Sequence, residues 1–165
     1  MVLTLLNENS RKAVLCLGVA SVPSLAAGLS SGLTAYSVNV PGVGSPATLW
    51  LRLGDGRTLR VGVDMHDLGA WEEIGTLTFE LANAEGVPEL ISLPSSWLDV
   101  REVQKLVYTS DDYEAECGFS MRTGSGDQLT IVPGADVYTL AIEAPFLSLP
   151  FTPENDLSAY LRKAF

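Results

Sequence analysis

The sequence predicts a mainly β, α+β fold: one domain made of two similar antiparallel β-meanders with a few short helices. Three observations carry this expectation. LWLRLGDGRTLRV (49–61) and FSMRTGSGDQLTI (119–131) are written on one plan, seventy residues apart. Each alternates apolar and polar residues on both sides of a glycine-bearing turn, the period-two pattern of a half-buried hairpin. A chain of 165 residues suffices for a single core that buries about 70% of the unfolded surface.

From the N-terminal side, RKAVLCLGVASVPSLAAG (11–28) imitates a secretory signal, because two basic residues precede an apolar run that ends in small ones. Glu8 ahead of the basic pair and Pro23 within the run weigh against that reading, so the expectation is a cytoplasmic protein. No stretch reaches the roughly 20 uninterrupted apolar residues of a membrane helix. In VPSLAAGL (22–29) and LPSSWLDV (93–100), a serine after proline is placed to cap a short helix in each copy.

TAYSVNV (34–40) and QKLVYTS (104–110) supply the first strand of each copy, with Tyr36 falling on Leu106. The two hairpins supply the second and third strands, with Leu49, Leu51, Leu59 and Val61 falling on Phe119, Met121, Leu129 and Ile131. TLTFEL (76–81) and YTLAIEA (138–144) supply the fourth at an offset of 63, which gives the first copy a seven-residue insertion within VDMHDLGAWEEIG (63–75). The halves therefore run over about 13–82 and 88–144. The tail, 145–165, carries three prolines and is read as a segment that covers a sheet edge and ends in a short helix from Pro153.

Trp50 points away from Leu49 and Leu51, to a face covered by the other half or a helix, and Trp97 packs its own short helix. Cys16 and Cys117 lie in apolar stretches where a buried free thiol is the usual occupant. The net charge of −10 is uneven: residues 1–60 hold five Lys/Arg against two acids (+3), and the rest hold five against eighteen (−13). Such a field repels phosphates and disfavours nucleic acid, while it serves either solubility or a basic partner.

Recognisable chemistry is sparse. His66 is the only histidine, placed in a surface loop without a local nucleophile or a GxSxG elbow. One histidine and two distant cysteines do not make a zinc site, the phosphate loop GxxxxGK[ST] is missing, and no cofactor is expected. Two acidic clusters remain. TSDDYEAE (109–116) gathers Asp111, Asp112, Glu114 and Glu116 around Tyr113, where the matching connection in the first copy, NVPGVGSPA (39–47), has no acid. The insertion adds Asp64, Asp67, Trp71, Glu72 and Glu73. Each cluster reads either as a solvated loop or as an acidic docking surface with an aromatic anchor.

Residues 100–146 order an apolar helix-to-strand segment, Glu-Cys-Gly, a turn with glycine and acid, Ile-Val-Pro-Gly and Tyr-Thr-Leu-Ala-Ile. This order resembles small bacterial immunity proteins that partner polymorphic or contact-delivered toxins, over under a third of the chain. The resemblance implies a compact, non-catalytic protein that occludes a cognate toxin with a basic surface, and it transfers no individual residue role. The alternative expectation is a structural or adaptor protein that self-associates through its sheets.

Overall fold

A computed structural model of the chain describes residues 12–42, 44–82 and 84–165; Glu8 and Arg11 lie outside them. The first half opens with β1 (Ala13–Leu15) and α1 (Val22–Ser30), followed by a meander of β2 (Leu33–Asn39), β3 (Thr48–Leu53), β4 (Thr58–Gly69) and β5 (Glu72–Leu81). α1 starts where Pro23 fits the first turn without a missing hydrogen bond. Its cap is Ser21, whose hydroxyl accepts the Ser24 amide at 3.3 Å, so the capping serine lies three residues before the one after the proline.

β6 (Ile91–Ser92) then pairs along the free edge of β2, giving the sheet order β5-β4-β3-β2-β6. The second half repeats the scheme with β7 (Val100–Thr109), β8 (Tyr113–Thr123), β9 (Gln128–Pro133) and β10 (Leu140–Glu143). Its opening element is only a 3-10 turn, Ser95–Leu98, where Pro94 at the cap offers no side-chain acceptor. β11 (Tyr160–Ala164) returns to the free edge of β7, so the order β10-β9-β8-β7-β11 matches the first sheet strand for strand. β1 crosses over to lie parallel to β8, Ala13 opposite Tyr113.

The duplication holds at the level of register. Leu49 faces Val61 and Leu51 faces Leu59; seventy residues on, Phe119 faces Ile131 and Met121 faces Leu129. The fourth strands confirm the shorter offset, since Val61 faces Phe79 and Ile131 faces Ile142. The first strands correct one alignment. Tyr36 faces Leu51 and Val103 faces Met121, so the counterpart of Tyr36 is Val103, three residues short of Leu106. Both first strands carry a bulge at the same place, Leu33/Ala35 and Val100/Glu102.

The two inner faces meet in one core of Leu49, Leu51, Val61, Leu77, Phe119, Met121, Leu129 and Ile131, each at most 1% exposed. Phe79 and Phe119 bridge the sheets with ring centroids 5.7 Å apart. The opening elements are exchanged: α1 contacts β7, and the Ser95–Leu98 turn contacts β2. Each half thus closes the other, which makes one domain of the pair. Trp97 is buried as expected, edge-on to Phe146 at 5.1 Å. Trp50 is not covered by the other half or a helix; it lies half-buried on the outer face beside Glu85–Pro88, with the Arg60 guanidinium 5.9 Å from its ring.

The tail's expected short helix from Pro153 is reduced to one 3-10 turn that begins four residues later. That turn, Leu157–Ala159, is capped by Asp156 and leads into β11, which covers the edge of β7 as a strand. Phe151 and Leu157 pack on a second, smaller cluster of Ile74, Leu106, Ala115, Cys117, Val132, Ala141 and Tyr160. Cys117 is buried, Cys16 is half-buried, and both are free thiols. Among the described residues, no helix is long and apolar enough to cross a membrane.

Candidate functional site

The first-half insertion is an extension of the β4–β5 hairpin into a two-stranded arm. The ladder continues from Val63 opposite Leu77 through His66 opposite Ile74 to Asp67 opposite Glu73. His66 is therefore a strand residue, correcting its placement in a loop, and its Nε2 lies 2.8 Å from the Thr76 hydroxyl. A bulge follows Asp67, whose carboxylate accepts the Gly69 amide at 2.8 Å, with Gly69 at φ 83°. The turn itself is Ala70-Trp71, at φ 51° and 67°. Two central residues of positive φ match the right-handed twist of a tight hairpin, but glycine and asparagine are the residues that take this conformation without strain. Trp71 packs on nothing: it is 103% exposed.

The inner side of the arm explains how so long a hairpin stays in place. Ile74 is buried in the second cluster, and Leu68 joins Tyr108 and Tyr113 at its margin. Glu154, on the tail, accepts the Gly75 amide with both carboxylate oxygens at 3.1 and 3.2 Å. Burial, with Glu73 nearby, pushes the Glu154 carboxyl above its ordinary value, while the Gly75 amide pulls the other way. Neither Leu68 nor Glu154 stands out in the sequence, since an isolated leucine and an acid in a proline-rich tail carry no periodic signal.

The second acidic cluster divides. Only Ser110–Asp111–Asp112 form the connection between β7 and β8, with the Ser110 amide donating to the Tyr113 carbonyl at 2.9 Å. The Ser110 hydroxyl accepts the Asp112 and Tyr113 amides at 3.3 and 3.2 Å. Asp111 and Asp112 are exposed. Tyr113 is half-buried and stacks on Tyr108 at 6.0 Å. Glu114 and Glu116 are strand residues already occupied within the fold. Lys163 donates to Glu114 at 2.8 Å, and Lys105 donates to Glu116 at 2.6 Å with both side chains over four-fifths buried. Glu116 also accepts the Leu17 amide at 3.1 Å. Glu116 is thus a structural residue, and Glu114 is partly so.

The fold brings the two clusters together. Leu68 of the arm and Tyr113 at the β7–β8 turn pack on the same cluster, and burial, the neighbouring Tyr108 and then Glu72 hold the Tyr113 hydroxyl above its ordinary value. Asp64, Asp67, Glu72, Glu73, Asp111 and Asp112 are all exposed, and among the described residues none has a Lys or Arg at salt-bridge distance. Asp67 and Glu73 stand directly opposite each other, a like-charge pair that a ladder tolerates only at a cost. Cys117 has a different character: burial pushes its thiol up to about 12, so it stays protonated at neutral pH. Among the described residues, no three His, Cys, Asp or Glu side chains gather as a metal site.

No protein-family model, curated protein or solved structure matches the chain.

Proposed function

We propose that the chain is a non-catalytic binding protein of the immunity type, which occludes a basic surface on a toxin-like protein partner through the arm tip and the adjoining β7–β8 turn. The observation that carries this reading is Trp71. It is a large, fully exposed aromatic side chain held in a strained turn conformation, amid acids that have no Lys or Arg partner among the described residues. Exposed aromatics in such a setting act as anchors of protein interfaces, and surrounding charge of one sign accelerates encounter with a partner of the other. Asp111, Asp112, Asp67, Glu72 and Glu73 supply that charge, with Tyr113 and Asp64 at the margin.

The test is affinity capture from the native lysate, run in parallel with wild type and a Trp71→Gly/Glu72→Gln/Glu73→Gln variant. One dominant stoichiometric basic protein retained by wild type and released by the variant is the expected result. Equal retention by both, or recovery of the chain alone as a homo-oligomer, would sink the reading.

A further inference from the structure

β5 runs roughly 30 Å from the arm tip to its other end, at about 3.3 Å per residue, and among the described residues only Gly18 pairs by its backbone with its outer edge there. Gly18 bridges its edge once, donating its amide to the Leu77 carbonyl at 2.9 Å and accepting the Phe79 amide at 2.8 Å. The chain then leaves the edge through Val19–Ser21 to enter α1, and a cavity of about 590 Å³ opens between the departing segment, α1 and Phe79–Leu81. Leu25, Leu53, Leu59 and Phe79 line it with buried apolar surface.

Two further features face the same space. Backbone groups alternate sides along an antiparallel strand, so the Phe79 carbonyl and the Leu81 amide turn outward with the Phe79 amide. Among the described residues, neither has a backbone partner. Arg57 lies on the rim, pinned by Asp55 at 2.8 Å and by the Ser24 hydroxyl and carbonyl at 2.7 and 3.0 Å, which leaves one Nη1–H free to donate; Glu80, the acid of the lining, is paired with Arg60 at 3.4 Å. In the second half the chain turns back over the corresponding end, Ile142–Ala144: the Leu147 amide donates to the Ala144 carbonyl at 3.1 Å, and Phe146 seats its ring 4.6 Å from Tyr36 and 5.1 Å from Trp97.

We infer that this end of β5 receives the carboxyl-terminal tail of a partner polypeptide. Its last apolar side chain enters the cavity, its backbone pairs with the Phe79 carbonyl and the Leu81 amide, and its carboxylate turns to Arg57. The site is separate from the arm, and its success or failure leaves the reading of Trp71 untouched.

The probe is a pool of hexapeptides randomised over their last three positions, presented with free carboxyl termini or as the C-terminal amides. Free-acid peptides ending in an aliphatic or aromatic residue should be retained, and amidation should weaken them about tenfold. Ala20→Trp, which fills the cavity from an exposed rim position, should abolish retention, as should Leu81→Arg if the first variant fails to fold. Trp71→Gly should leave retention unchanged. Equal retention of acid and amide pools, indifference to the filling variants, or no retention would overturn the inference. Binding of decanoate as tight as that of the best peptide would overturn it too, in favour of a small amphiphile.

Discussion

Gly56 and Gly126 adopt the same backbone conformation, φ 91° and 93°, at the same point of two hairpins seventy residues apart. A Cβ at either position would meet nothing within 4 Å, so the requirement for glycine there is conformational and not steric. Gly56→Ala and Gly126→Ala should each destabilise the fold by about 1 kcal/mol, with the double variant near the sum. Urea midpoints measure this; one silent substitution of the two would show that the turns are not equivalent.

These hairpins are also where the sequence was most legible. Alternation and turn glycines are local signals, and Leu51/Leu59 and Met121/Leu129 repeat in register because the inner faces demand it. Where the outcome depended on tertiary partners, the local signal was silent or misleading. Tyr36 resembled Leu106 by position, but facing residues of β7 and β8 stand three residues further apart in the chain than those of β2 and β3, 18 from Val103 to Met121 against 15 from Tyr36 to Leu51, with an extra irregularity at Leu106/Val107. The acids of 109–116 formed one cluster in sequence, and the fold divided them, because Lys105 from β7 and Lys163 from β11 reach Glu116 and Glu114. The tail's helix signal yielded to the unpaired edge of β7, which offers β11 a full ladder. The arm read as a loop because His66, Asp67 and Glu73 are not strand formers, and its strands persist through Ile74 and Leu68 docking on the second sheet.

Lys105 and Glu116 form a largely buried pair, and removing one partner strands the other charge. Lys105→Met should destabilise by about 3 kcal/mol, and adding Glu116→Leu should recover most of that loss. The same pair separates structure from recognition. Asp111→Asn/Asp112→Asn should slow association with a basic partner and flatten its salt dependence, whereas Glu116→Gln should lower stability and leave the salt dependence intact. Stopped-flow association at several ionic strengths tells the two apart; a Glu116 effect on the salt slope would return that residue to the contact surface.

Glu154 makes stability depend on pH in a direction opposite to most surface carboxylates. Its folded-state proton affinity is raised, chiefly by burial, so between its unfolded value of about 4.3 and its higher folded value the native state binds more proton than the unfolded chain. Stability attributable to this group therefore falls as pH rises through that window. Glu154→Gln keeps an acceptor for the Gly75 amide and removes the titration, so its stability should exceed that of wild type increasingly as pH rises above about 4.3. Chemical denaturation from pH 4 to pH 8 measures the difference; a gap constant with pH would mean that Glu154 titrates as it does in the unfolded chain.

Trp71 sets stability against recognition at one position. Its backbone sits at φ 67°, which an L-residue occupies at a penalty and glycine does not, and its exposed ring returns no packing energy. Trp71→Gly should therefore raise stability by about 0.5–1 kcal/mol, the relief of strain being partly offset by the greater freedom of glycine in the unfolded chain. Tryptophan emission should shift to the blue as the one fully exposed indole is removed and Trp97 and half-buried Trp50 remain. Affinity for a protein partner should fall in the same variant, because the anchor is gone while the acids stay. A gain in stability paired with a loss of binding is the signature of strain retained for function. A loss of stability would mean that the ring packs on the protein in solution, and the arm tip would then be only the end of a hairpin.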